Sequence, residues 1–333
     1  MQKILYTVLF IGLTFLASCG TPNEPESIVG GDGGYKIVSK FTTSGNAEDV
    51  LIKDTVAYVT QGEGGLMIIN IANKINPGKL SNFNYFLRGY SNKIVLKDTL
   101  VFISAGAWGL SVVDISDPLN PAGIETNQPV KPAKGMDVTN NFLISAVGEE
   151  GFQVSKIVDV NHIDPRGKTS SVGFAQGVSV SHDSIHLLVA CGEMGFAIHD
   201  ISYLEEGYGN YALINWTDTP GYAEDVVSHP SLPYAFMACG TGGFFIVDYS
   251  DSANVKVIGG YSTGGYAKEV VYKENKVYVT TGLRGLQIFD VSNITSPVRI
   301  GTVQTKLAKG LAIDDKYVYV ADEHEGLVII SIP

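Results

Sequence analysis

The chain has 333 residues, 45% of them hydrophobic and 17% charged, with 34 acidic against 23 basic residues and a formal net charge of −11. It contains no lysine- or arginine-rich run, which excludes the electrostatic footprint of a nucleic-acid-binding protein. The acidic balance fits a solvated extracellular surface, and the 38 glycines fit many short strands joined by tight turns.

The first segment is unlike the rest. Lys3 supplies a positive charge, and residues 4–16 form an apolar run with no charged residue. That run is too short to span a membrane comfortably and ends in small residues, as a secretory signal does. The sequence Leu16-Ala17-Ser18-Cys19 resembles the lipobox of bacterial lipoproteins, which implies cleavage before Cys19 and acylation of that cysteine. A plain signal peptide with an incidental cysteine is the alternative. Residues 19–34 are rich in proline, glycine and acidic side chains, cannot bury a core, and read as a flexible tether. The expected division is a signal peptide over 1–18, a tether over 19–34 and one folded body over 35–333. The lipid would hold that body, as a monomer, at the outer membrane of the cell envelope.

Beyond the tether one phrase returns seven times: a hydrophobic strand, Gly-x-x-Gly, then an apolar strand ending in a carboxylate or its substitute. The second glycine stands at Gly65, Gly109, Gly151, Gly195, Gly243, Gly285 and Gly326, at spacings of 41–48 residues. A strand-rich repeat of about 40–45 residues is the signature of a β-propeller, one blade per repeat. The expected fold is therefore all-β, a seven-bladed propeller of four-stranded antiparallel blades. In the sixth unit the strands fall at 268–272, 276–281, 286–291 and 298–305. Near-continuous apolar runs such as 66–71 and 327–332 predict sheets covered on both faces, as stacked blades are.

The Gly-x-x-Gly lies between second and third strands, where a tight turn needs positive φ or no side chain. The seventh copy carries Glu323 instead of the first glycine, so its turn is expected to differ. Asn70, Asp114, Asp200, Asp248 and Asp290 recur five residues past the second glycine, a position suited to capping the next turn. Seen singly, such an aspartate also suits a metal; its recurrence favours the cap. The seventh unit ends after three strands, whereas residues 35–43 look like an outer strand with no unit of their own. That N-terminal strand is expected to close the last blade and leave no open edge between chain ends.

The third strands Leu110-Ser-Val-Val-Asp-Ile115, Phe244-Phe-Ile-Val-Asp-Tyr249 and Leu286-Gln-Ile-Phe-Asp-Val291 resemble the LVIVD repeat of bacterial secreted propellers. The likeness extends into the turns Ser116-Asp-Pro-x-x-Pro121 and Ser292-Asn-Ile-Thr-Ser-Pro297. The third unit, with Phe152-Gln-Val-Ser-Lys-Ile157, is the poorest copy. The resemblance implies a seven-bladed propeller exported to the envelope, and it implies no particular activity.

Motifs of known chemistry are missing from the sequence. None of the six histidines has His-x-His or His-Glu-x-x-His spacing, and there is no nucleophile elbow, phosphate loop or calcium loop. Cys191 and Cys239 hold the same repeat position in adjacent blades. A blade spacing of about 10 Å exceeds the Cα separation a disulfide spans, so two buried thiols are expected.

Geometry is more suggestive. With strands running down, up, down and up, the loops leading into the inner strands share a face with the Gly-x-x-Gly turns. Those loops bring Tyr90, Phe174, Tyr222 and Tyr266, and the turns add Trp108, Arg284, His324 and several glutamates. Next along the inner strands comes a mixed ring of Glu48, Asn92, Lys134, Gln176, Glu224, Lys268 and Lys309 around the axis. Aromatic platforms with polar groups to orient a ligand suit a glycan, a peptide or a partner protein. The opposing possibility is that the aromatics merely plug the channel mouth. The expected function is a noncatalytic binding scaffold without cofactor. The alternative is an envelope hydrolase or lactonase-like enzyme, marked by perturbed carboxylates or a metal at the axis.

Overall fold

The computed structural model describes residues 31–85, 87–124, 130, 133–206 and 211–333. The expected signal peptide, Cys19 and the expected tether up to residue 30 lie outside them.

Seven separate four-stranded antiparallel sheets make up the fold. The sixth blade runs from the inner strand Glu269–Lys273 through Lys276–Thr280 and Leu286–Asp290 to the outer strand Val298–Val303. Each lies within two residues of its expected place. Side chains of these strands are shared between neighbouring blades, because each sheet is covered on both faces. Ala57, Val59, Met67 and Ile69 of blade one, for instance, pack with Tyr319, Ala321, Leu327 and Ile329 of blade seven. Beyond the strands, single 3-10 turns stand at Leu204–Glu206 and Ser252–Asn254.

The last blade takes its outer strand from the other end of the chain. Lys36–Phe41 pairs antiparallel with Gly326–Ser331, from Lys36 opposite Ser331 to Phe41 opposite Leu327. A register shift in this pairing recurs between third and outer strands of other blades, as at Ile68/Ile69 and Ile288/Phe289. One extra residue there increases the local twist.

Residues 31–34, read from composition as the end of the tether, form a turn against blade six. The Thr302 N–H donates to the Gly31 carbonyl at 3.1 Å, and a Cβ on Gly33 would stand 2.2 Å from the Ile300 carbonyl oxygen. Glycine there serves close approach rather than flexibility.

The turns follow the sequence reading. In blade one Gly62 and Gly65 have φ of 56° and 81°, and a Cβ on Gly65 would meet the Phe83 carbonyl oxygen at 2.5 Å. In blade seven the Asp322 carboxylate replaces the missing glycine. It accepts the His324 and Glu325 N–H groups at 3.0 and 2.9 Å, and that of Leu307 at 2.6 Å. Asn70, Asp114, Asp200, Asp248 and Asp290 each accept the N–H two residues ahead, at 2.7–2.9 Å. They cap turns, and among the described residues no group of three His, Cys, Asp or Glu side chains is placed to hold a metal ion. Cys191 and Cys239 are free and buried, and burial pushes both thiols up to about 12.

Candidate functional site

Inner strands converge on the axis and leave a cavity of about 200 Å³ at the face of the Gly-x-x-Gly turns. All seven members of the expected ring line it: Glu48, Asn92, Lys134, Gln176, Glu224, Lys268 and Lys309. The first glycine of a turn pairs with the residue that follows the leading-loop aromatic of the next blade, as in Gly62 with Ser91 and Gly192 with Ala223. This bridge lays each ring over the preceding blade's glycine. A Cβ on Gly62 would stand 2.6 Å from Cζ of Tyr90, and one on Gly192 would stand 2.9 Å from Cζ of Tyr222. Glycine is thus required for aromatic packing as well as for φ.

The aromatic tips reach the polar ring. Tyr90 donates its hydroxyl to Glu48 at 2.6 Å, Tyr266 donates to Glu224, and Gln176 donates to the Tyr222 hydroxyl at 3.1 Å. Phe174 has no hydroxyl, and the Lys134 ammonium lies 5.5 Å from its ring centroid instead, within cation–π range. Burial and the bond to Glu48 push the Tyr90 phenol up to about 12. Burial also raises the Glu48 carboxyl above its ordinary range, against the Tyr90 hydroxyl and the Lys309 ammonium. Lys268 pairs with Glu224 at 2.6 Å, and Lys309 with Glu323 at 2.7 Å and Glu48 at 3.9 Å.

The rings are not a buried plug. Tyr90 is 38% and Tyr266 43% exposed, while Phe174 and Tyr222 are half-buried. None of the four lines the cavity, whose lining is polar side chains and glycine. They form its rim. Trp108 is 55% exposed and stands above Gly89 of its own blade. Half-buried Arg284 covers Gly265 in the same way. Arg284 and the exposed His324 belong to the outer turns, so the structure does not bring them to the cavity.

One residue deeper lies a second ring that sequence reasoning missed. The Lys93 ammonium crosses the channel to Glu269 at 2.6 Å and to Asp49 and Asp225 at 3.9 Å. It closes the channel floor by joining four blades. Burial pulls the ammonium down, but Asp225, Asp49 and Glu269 together outweigh it and hold its pKa above the usual lysine range. Burial raises the carboxyls of Asp49 and Glu269, the latter strongly.

Two of these acids also clasp neighbouring blades. Asp49 accepts the Ile94 N–H at 3.0 Å, and Asp225 accepts that of Val270 at 3.2 Å. Asp137 does the same two residues further down, taking the Val180 N–H at 2.7 Å, and burial pushes its carboxyl up to about 6. The missed signal was a charge opening an otherwise apolar inner strand, as in Asp225-Val-Val and Glu269-Val-Val.

A ring of seven four-stranded blades closed by its own N-terminal strand defines a seven-bladed β-propeller. The family described as the LVIVD repeat matches residues 44–84, 88–126, 220–263, 264–305 and 307–332. These are units one, two, five, six and seven, more than half of the chain, and the protein belongs to that family. No curated protein matches it. Among solved structures, the computationally designed Ika8 protein is 9% identical with a TM-score of 0.64, over 90% of this chain and all of that one. A chain of a mitotic checkpoint complex is 10% identical with a TM-score of 0.69, over 95% of this chain and 96% of the other. At such identity the likeness is of fold alone.

Proposed function

We propose that this propeller is a noncatalytic binding scaffold, held at the outer membrane of the bacterial envelope by acyl chains on Cys19. Its mouth face takes a glycan, peptide or protein partner. The observation that carries this reading is the construction of the mouth: a polar cavity in a rigid ring, rimmed by partly exposed aromatics fixed by hydrogen bonds. A preorganised surface of this kind loses little entropy on binding.

Anchoring is tested by Cys19→Ala. The variant should take up no labelled fatty acid and leave the membrane fraction while the propeller stays folded. Label still entering the variant overturns the anchor.

The face is tested by titrating soluble envelope glycan fragments and peptides against Trp108→Ala and Tyr222→Ala. An aromatic anchor contributes about 2 kcal/mol or more, roughly a thirtyfold loss of affinity. Trp108→Ala should lower the melting temperature by only a few degrees, because more than half of the side chain is exposed. Tyr222→Ala should cost more, because its ring is half-buried and its hydroxyl accepts a hydrogen bond from Gln176. Lower melting temperatures with unchanged binding would refute a binding role for the aromatics.

A second reading, an envelope hydrolase, draws on Glu269, an axial carboxyl that burial holds well above its usual range, as catalytic acids require. Against it, Asp49 and Asp225 are occupied by backbone N–H groups and Lys93. Turnover of an envelope ester or glycan that disappears in Glu269→Gln would favour the enzyme.

A further inference from the structure

We infer that the axial cavity binds a compact monocarboxylate, with the carboxylate seated on the Lys134 ammonium. This rests on the mouth-face reading above and names a ligand for its centre. Four lysines line the cavity, and three are already matched: Lys93 by Glu269, Lys268 by Glu224 and Lys309 by Glu323. Among the described residues Lys134 has no carboxylate partner, and its ammonium lies over the Phe174 ring. An ammonium facing a cavity of this kind attracts an anion.

The surroundings select the anion. Lys134 stands between two neutral amides, Asn92 of blade two and Gln176 of blade four. Beneath it is Gly135, where a Cβ would lie 2.6 Å from the Gln176 carbonyl oxygen, so the cavity is bare of side chains at that point. Five acids line the cavity, Glu48, Asp49, Glu224, Asp225 and Glu269. With five carboxyls against four lysines the lining as a whole is acidic. An anion is therefore held only locally, at Lys134, on the side where the neighbouring blades present neutral amides. A phosphate dianion meets the same single cation and twice the repulsion from the acids. A cavity of about 200 Å³ is smaller than a typical small-molecule pocket, which suits a compact ligand. A hydroxyl or amine beside the carboxylate would meet the amides or Glu48.

The experiment titrates lactate, its uncharged counterpart lactamide and inorganic phosphate into the full chain at neutral pH, by calorimetry. Lactate should bind and lactamide should not. Lys134→Gln should weaken lactate at least tenfold without lowering the melting temperature, and Lys134→Arg should retain most of the affinity. Lys79→Gln, at an exposed lysine on the outer strand of blade one, should change nothing. Equal binding of lactamide, tighter binding of phosphate, unchanged affinity in Lys134→Gln, or no lactate binding at tens of millimolar each overturns the inference. If lactate fails while Trp108→Ala still loses an envelope ligand, the cavity assignment falls and the face reading stands. If lactate binds through Lys134 and no envelope glycan or peptide does, the rim aromatics lose their role and the cavity assignment stands.

Discussion

A chain beginning at Ser44 should fail to hold its fold, whereas one beginning at Gly31 should melt like the full chain. The difference between them is the outer strand of the last blade. Its removal strips the ladder partners from Leu327 to Ser331, at about 0.5–1.5 kcal/mol for each lost hydrogen bond. Val38 and Phe41 leave the core shared by blades one and seven. Tyr35 leaves the core between blades six and seven, with its edge-on contact to Tyr278 at 6.1 Å. Large buried side chains contribute about 1.5–3 kcal/mol each. The total approaches or exceeds the 5–15 kcal/mol that stabilises a typical domain. Residues 31–34 belong with the longer chain, because their turn is bonded to the outer strand of blade six. The measurement is thermal unfolding of both chains, with aggregation followed by light scattering. Equal melting temperatures would mean that the strand closes nothing.

That closure was legible in the sequence because it is a matter of counting: seven turn motifs, one missing outer strand and one surplus strand. The caps at Asn70, Asp114, Asp200, Asp248 and Asp290 were legible for a similar reason. Each is satisfied within its own repeat by an N–H two residues away, and recurrence told a cap from a metal ligand. Contacts between repeats were harder to read. That Gly62 is glycine partly because the ring of Tyr90 from the next blade lies on it is a fact about two units at once, and no single unit's pattern contains it. Gly33 misled for the converse reason, since composition marks a glycine as permissive without saying whether freedom or close approach is being used.

The candidate site divides along the same line. Repeat alignment alone placed the seven residues of the upper ring around one axis, because equivalent positions in a propeller are equivalent in radius. The turn residues Arg284 and His324 share the face but stand at a larger radius, which a sequence does not encode. The lower ring was hidden by strand alternation. A residue next to one that faces the cavity is expected to point away, yet in every blade but the seventh the upper-ring residue lies just before the inner strand begins. The chain has not settled into the pleat there, and both Glu48 and Asp49 line the cavity.

Lys93→Met should be among the most damaging single substitutions in the protein, and its cost should depend on pH in a definite sense. Methionine keeps the length of the side chain but removes the cation that Asp49, Asp225 and Glu269 share. Breaking a buried ion pair from one side costs about 3–5 kcal/mol, because the remaining charge is left desolvated. Lysine titration contributes nothing to the pH dependence near neutrality. Its folded pKa is raised, so its stabilisation is complete below the ordinary lysine value and is lost only far into the alkaline range. The carboxyls behave otherwise. Those of Asp49 and Glu269 are already raised above ordinary values of 3.8 and 4.5 by burial, and loss of the ammonium raises them further. A group with a raised carboxyl pKa favours the folded state when protonated, and that advantage is lost as pH rises through its folded value. The variant should therefore stand closest to the parent near pH 4 and fall progressively behind as pH rises toward 7 and beyond. Adding Glu269→Gln to Lys93→Met should recover part of the loss at pH 7, since it removes the carboxylate nearest the missing ammonium. Melting temperatures of the parent and both variants across this range provide the check. Equal melting at pH 7, or a gap that widens as pH falls, would show that the channel floor is not held by this cluster.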